Sequence, residues 1–238
     1  MKKPKILLYD IETSPNLAYV WGKYQQDVVA YKNERRILSV AYRWLGDRKI
    51  EVISTKGVDN DYKLVSLFAT ILNEADICIA HNGDHFDRTI VKTRMLYHGM
   101  KPLKINCSVD TLKVVKTYFN FNGNSLADVC HYLKIGKKTK HPGIDMWMGC
   151  LANDARSWAQ MVKYNKQDVV LLTKLYNRLR PWIENHPNVA RLLGQCGCPS
   201  CANTQTSKYG IRPTARGLQQ RWLCRSCGRH WTTPMGAK

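Results

Sequence analysis

The sequence predicts a mixed α/β domain, a β-sheet flanked by helices, followed by a small metal-held unit. Three observations carry this. Short apolar runs come first as a hairpin-like pair and then alternate with segments of helical period. Helical periodicity stops at "ENHPNV" (184–189), where Gly, Cys and Pro take over. Beyond that point Cys196, Cys198, Cys201, Cys224 and Cys227 crowd together. The division falls between residues 1–187 and 188–238.

The elements follow in order. "KILLY" (5–9) reads as a first strand, and "ILSVAYRWL" (37–45) and "KIEVIST" (49–55) as a hairpin around Gly46-Asp47-Arg48. "YKLVSLFATILNEA" (62–75) sets Leu64, Leu67, Phe68, Ile71 and Leu72 on one helical face. "ICIAHN" (77–82) is a short buried strand, followed by a helix over 87–98. "INCSVDTLKVVKTYF" gives a strand end and then a helix, and "SLADVCHYLKI" (125–135) a helix with Ser125 as N-cap. A long helix runs from Ser157 to about Trp182, stopped at Arg180-Pro181.

Charge narrows the partner. There are 37 Lys and Arg against 18 Asp and Glu, a net +19. Solubility needs far less, and an excess of this size points to a polyanion such as nucleic acid. The last 54 residues carry eight Lys/Arg and no acid. No apolar stretch reaches the length of a membrane span, and the start does not read as a signal peptide. Cys78, Cys107, Cys130 and Cys150, scattered in apolar segments, read as buried reduced thiols, so a cytoplasmic setting is expected.

Against this basic background three acidic stations stand out. Asp10 and Glu12 lie two apart at the end of the first strand, hence on one side of it. Asp87 follows the strand 77–82, and Asp168 sits on the long helix. Asp84, in "NGD", is ordinary turn chemistry. Hard divalent cations prefer carboxylate oxygens. Two such ions roughly 4 Å apart suit phosphodiester cleavage.

"DIET", "HNGDHFD" and "YNKQD" resemble the three motifs of the DEDD exonucleases, which have an RNase H-like fold and include proofreading domains of DNA polymerases. Asp10 and Glu12 match the first motif, Asn82, Phe86 and Asp87 the second, and Tyr164 and Asp168 the third. The resemblance covers roughly residues 5–182. Lys163 stands where the histidine subgroup has His, so Tyr164 aligns the chain with the tyrosine subgroup, DEDDy. The resemblance implies 3′–5′ polarity and two Mg²⁺ or Mn²⁺ ions held by Asp10, Glu12, Asp87 and Asp168. It makes Tyr164 an orienter of the attacking water. It also puts Thr13 at the terminal nucleotide, Phe86 against a base, and Asn82 on substrate or in its loop. His81 and His85 are then loop or supporting residues rather than ligands. Tyr19, Trp21, Tyr24 and Tyr31, mixed with Lys23 and Lys32, fit base stacking and a packed loop equally. The lysines of "KIGKKTKH" (134–141) fit a backbone track or a solvated loop.

In the tail, Cys198-Pro-Ser-Cys201 and Cys224-Arg-Ser-Cys227 form two C-x₂-C knuckles separated by 22 residues, the pattern of a four-thiolate zinc site. Cys196 and His230 are the alternative ligands, although both lie outside the knuckle spacing. The stretch resembles a zinc ribbon like those of some insertion-sequence transposases. Its Lys208, Arg212, Arg216, Arg221, Arg225 and Arg229 with Tyr209, Trp222 and Trp231 favour nucleic-acid binding over a structural or protein-contact role, with filling of the small ribbon core the alternative for Trp222 or Trp231. The expected whole is a metal-dependent exonuclease on DNA, single-stranded or at ends, of phage or bacterial type. RNA is the main rival substrate. A transposase-related or non-catalytic binding protein is the alternative class.

Overall fold

The computed structural model describes residues 4–24, 27–57, 59–104, 107–139 and 143–235. A five-stranded sheet forms the first part, in the order β5-β4-β1-β6-β7. Its strands are β1 (Ile6–Thr13), β4 (Ile37–Trp44), β5 (Glu51–Ser54), β6 (Ile77–Ala80) and β7 (Cys107–Asp110). β4 runs antiparallel to β1 and β5, while β6 and β7 run parallel to β1 and to each other. This mixed sheet with helices on both faces is the expected RNase H-like architecture. β1 is apolar from Ile6 to Tyr9 and again at Ile11 because both of its faces are covered there.

The two faces have different partners. Leu7, Tyr9 and Ile11 pack with Leu64, Val65, Phe68 and Leu72 of α1 (Tyr62–Glu74) and Val91 and Met95 of α2 (Asp87–Tyr97). Ile6 and Leu8 face the other way, onto α3 (Thr111–Tyr118), α4 (Leu126–Tyr132) and the second half of α6 (Ala155–Leu179). Two expected burials fail. Leu67 is 56% exposed, because Val65 takes the inward position on α1. Cys107 is exposed, because it opens the edge strand β7.

Local signals set several boundaries. Ser125 caps α4 by accepting from Asp128 N at 3.1 Å, as its position predicts. Asp154 does the same for α6 through Ser157 N at 2.7 Å, so that helix starts two residues before its expected first residue. It ends at Leu179 in a 3-10 turn holding Pro181. The sequence did not predict the hairpin β2 (Leu17–Tyr19) and β3 (Ala30–Asn33), nor α5 (Ile144–Leu151), whose Met146 and Cys150 pack against Trp158 and Met161 of α6. Ile105 and Asn106, where the strand end was expected, and Lys140 and His141 lie outside the described residues.

After α7 (Val189–Leu192) the chain forms a three-stranded antiparallel sheet in the order β10-β9-β8. These strands are β8 (Thr206–Thr214), β9 (Gly217–Cys224) and β10 (His230–Pro234). Arg229, only 7% exposed, staples this sheet to the first part. Its guanidinium donates to the carbonyls of Pro181 at 3.2 Å and Glu184 at 2.8 Å. Among the described residues no helix is long and apolar enough to cross a membrane.

Candidate functional site

The alternation of β1 places the first two acids. Ile6 and Leu8 point to the α6 face, so the two-residue period puts Asp10 and Glu12 on that face as well. There they meet α6. Asp10, Glu12 and Asp168 each offer a carboxylate oxygen, and these oxygens all lie within 4.8 Å of one another. Tyr164 lies one turn before Asp168 on the same buried face of the helix.

Three further residues hold the group, and the sequence flagged none of them singly. Asn165 is fully buried. Its Nδ2 donates to Asp10 Oδ2 at 2.7 Å and to the Asp10 carbonyl at 3.1 Å, while its Oδ1 accepts from Ser39 Oγ at 2.8 Å. Lys138, from the basic loop, sits 2.9 Å from Asp168 Oδ2 and 4.8 Å from the centre of the Tyr164 ring. Trp147 of α5 hydrogen-bonds Glu12, and its ring meets Tyr164 edge-on at 6.3 Å.

Asp87 stands beside this trio rather than within it. It is the first residue of α2, and its Oδ1 accepts from Ile11 N at 3.1 Å, between Asp10 and Glu12 on β1. The preceding loop is pinned by Asp110, which accepts from Asn82 N at 2.8 Å and Asp84 N at 3.2 Å while capping α3 through Leu112 N. Asn82 has φ of 65°, and a Cβ on Gly83 would come within 2.2 Å of Ala80 Cβ, so the tight turn demands glycine there.

The remaining predicted residues are placed as follows. Thr13 ends β1 at a bulge, half-buried. Phe86 precedes Asp87, with the Arg35 guanidinium 5.8 Å from its ring centre. His81 is held by Thr111 Oγ1 at 2.9 Å and the Asn124 carbonyl at 3.0 Å, a loop-supporting position. Asp84 pairs with Lys113 at 2.7 Å and accepts from Ser108, in keeping with a turn role. Tyr19, Trp21, Tyr24 and Tyr31 are all exposed, so the packed-loop reading does not hold for them.

Crowding of acids in a buried place costs energy unless protons or cations neutralise them. Burial, then Glu12, Asp87 and Asp168, holds Asp10 well above the carboxylate range. Burial and Asp168 push Glu12 up to about 8, and burial pushes Asp87 up to about 7. Burial pushes the Tyr164 hydroxyl up to about 12, so it keeps its proton at neutral pH. These shifts fix a sign. Between pH about 4 and 8 these carboxylates hold protons in the folded chain that the unfolded chain has released, so their contribution to metal-free stability falls as pH rises; His186, which burial pushes down to about 4, opposes this only below about pH 6.5. Melting temperature measured at pH 6.5, 7.2 and 8 with Mg²⁺ and Mn²⁺ removed, above the range in which His186 opposes the trend, should fall steadily. Excess Mg²⁺ or Mn²⁺ should flatten the slope, and a flat metal-free profile would contradict the crowding.

The second centre is sulfur-based. Cys198, Cys201, Cys224 and Cys227 bring their four Sγ atoms within 4.8 Å of one another. The Cys198–Cys227 and Cys201–Cys224 separations are 3.6 and 3.7 Å. A tetrahedron with Zn–S of about 2.3 Å has edges of about 3.8 Å, so the set fits zinc. Cys196 is exposed, and His230 Nδ1 lies 2.8 Å from Tyr209 Oη, so neither joins the set.

Over 80 residues the chain is 35% identical to a DNA polymerase III of PolC type from Ureaplasma parvum serovar 3, a stretch that is 33% of this chain and 6% of that polymerase. It shares its fold with the family B DNA polymerase of the hyperthermophilic archaeon Pyrobaculum calidifontis, with a TM-score of 0.59 at 18% identity, over 76% of this chain and 25% of that one. The chain thus spans a small part of either polymerase. The model of the RNase H superfamily matches residues 7–180, most of the length, and the chain belongs to that superfamily.

Proposed function

We propose that the protein is a metal-dependent 3′–5′ exonuclease of the DEDDy type, acting on DNA single strands or ends. Residues 1–187 would form the nuclease and 188–238 a zinc ribbon that binds nucleic acid. The convergence of Asp10, Glu12 and Asp168 on one point of a strongly basic chain carries this reading. Oxygen donors crowded to this degree suit hard cations. With Asp87 alongside, they would hold two Mg²⁺ or Mn²⁺ ions. When bound, those ions supply the Lewis acidity that activates water and steadies the leaving oxygen.

The chain's own residues do the rest. Tyr164 keeps its hydroxyl proton and so orients a water by hydrogen bonding, without taking its proton. Lys138 places an ammonium beside Asp168 and Tyr164. Burial would lower it, but Asp168 and Tyr164 hold it above the ordinary lysine range, so it stays charged. Thr13, Asn82 and Phe86 are assigned to the substrate end. DNA is favoured because the similar proteins are DNA polymerases. Polarity rests on the motif resemblance. Oligonucleotides of DNA and RNA labelled at the 5′ end, incubated with Mg²⁺ or Mn²⁺, should give a ladder shortening from the 3′ end with mononucleotide release. Strand-transfer products, or no cleavage with any metal, would overturn the reading.

Asn165 belongs to this machinery as a positioning residue, because its amide orients Asp10 and is itself held by Ser39. Asn165→Ala should lower kcat by roughly ten- to a hundredfold and raise the Mn²⁺ concentration needed for half activity. Asn165→Gln should not rescue it, since the longer side chain cannot keep both the Ser39 and the Asp10 bonds. An unchanged metal requirement would reduce Asn165 to a packing role.

A further inference from the structure

Between the ribbon sheet and the α7 segment lies a cleft of about 1000 Å³ that the carboxylate chemistry does not use. Trp222 and Trp231 line one wall, and Asn188 and Arg191 line the other. Strand register explains the aromatic wall. Lys208, Trp222 and Trp231 lie directly opposite one another on β8, β9 and β10, so all three project from one face. The two indoles stack nearly parallel, 13° apart with centres at 6.2 Å, and Lys208 Nζ lies 5.5 Å from the Trp222 ring centre. Trp222 Nε1 is satisfied by Thr233 Oγ1 at 2.9 Å, which fixes the ring and leaves its polar edge no further demand. Both indoles are half-buried and border open space, so they do not form a closed ribbon core.

The opposite face of the sheet is built differently. There Tyr209 meets His230 edge-on and lies under Arg221, and none of the three lines the cleft. The two faces can therefore be tested separately.

We infer that the Trp222–Trp231 face and its cleft bind single-stranded nucleic acid, with unpaired bases stacking on the indoles and phosphates meeting Lys208 and Arg191. This rests on the proposed nucleic-acid role of the ribbon and gives it a place and a strand form. Flat, preset indoles accept any base, whereas a duplex keeps its base faces buried. Charge agrees, because the cleft is lined by Arg191 and Arg229 against the single acid Glu184. The volume lies at the upper end of ligand pockets, which run roughly 300–1,000 Å³. It therefore has room for more than one base.

The test uses the full chain with zinc bound and no Mg²⁺ or Mn²⁺, so nothing is cleaved. Fluorescence anisotropy would follow labelled oligothymidylate, oligouridylate, an abasic strand of equal length, and a duplex. Oligothymidylate or oligouridylate should bind and quench tryptophan emission, and their ratio tells DNA from RNA as the preferred source. Trp231→Leu and Trp222→Leu should each weaken binding about tenfold at unchanged zinc content. Trp231→Phe should keep most of it, and Tyr209→Leu on the other face all of it. Should Trp222→Leu lose zinc, Lys208→Ala carries the test, with weaker binding and a shallower salt dependence expected. Abasic strand or duplex bound as tightly as oligothymidylate, or Tyr209→Leu as damaging as Trp231→Leu, would overturn the inference. Adding Mn²⁺ afterwards separates the two readings: binding without hydrolysis would sink the exonuclease alone, and hydrolysis without base-dependent binding would sink this inference alone.

Discussion

With Asp10 and Glu12 both replaced by alanine, hydrolysis of end-labelled DNA should fall by roughly 10³-fold or more. A metal's stabilisation of developing charge is worth several kcal/mol, and about 1.4 kcal/mol is a tenfold change in rate. The same pair should control stability. Wild type at a hundredfold excess of Mg²⁺ or Mn²⁺ over Kd gains about 2.7 kcal/mol, which is roughly 5–10 °C in Tm for a chain of this size. The double variant should gain nothing. Asp10→Asn isolates the repulsion, since the amide keeps the shape and can still accept from Asn165. Without divalent metal it should melt a few degrees above wild type, and with metal it should lose that advantage. Equal cleavage by wild type and the double variant would remove these residues from the chemistry.

Cys224→Ser should cost the proposed ribbon its zinc and its fold. Structural zinc contributes an apparent free energy of about 10–16 kcal/mol in small zinc domains, far more than a three-stranded sheet of this size can replace. Without the ion burial holds the Cys198 thiol up at about 11, while Cys224, against its burial, is drawn below the ordinary thiol value by the backbone N–H groups of Cys227 and Ser226. Zinc content should drop from one per chain to near zero, and residues 206–235 should become sensitive to protease. Cys196→Ser and His230→Ala should both keep full zinc, because neither side chain joins the four sulfurs. Full zinc in Cys224→Ser would mean that the ligand set is wrong.

The sequence was most legible where a local pattern coincides with its own purpose. The β1 alternation, Ser125 as a cap and the knuckle spacing each work within a few residues. The site was legible only in part, because its supports act across the chain. Asn165 looks like an ordinary polar residue in a helix, and only its bonds to Asp10 and Ser39, 155 and 126 residues away, give it a role. Lys138 read equally well as a solvated loop lysine until Asp168 was found beside it. Trp147 was hidden because "IDMWMGCL" is apolar around most of its helix, with no clear stripe to announce α5. The β2–β3 hairpin was missed for the opposite reason: its strands are short and exposed, with no buried face to impose a period.

Arg229 has a consequence for product length. By gripping the carbonyls of Pro181 and Glu184, it makes the ribbon an extension of the long helix rather than a tethered module. The helix rises about 17 Å between Asp168 and Leu179, and Arg229 joins the C-terminal sheet to the turn just beyond it. On the proposed nuclease and ribbon roles, a strand held at both places would cover that span, and a shorter fragment would engage the carboxylates alone. The protein would then act as a ruler. Digestion would run quickly on long strands, slow once they shrink below the span, and leave a narrow band of short remnants.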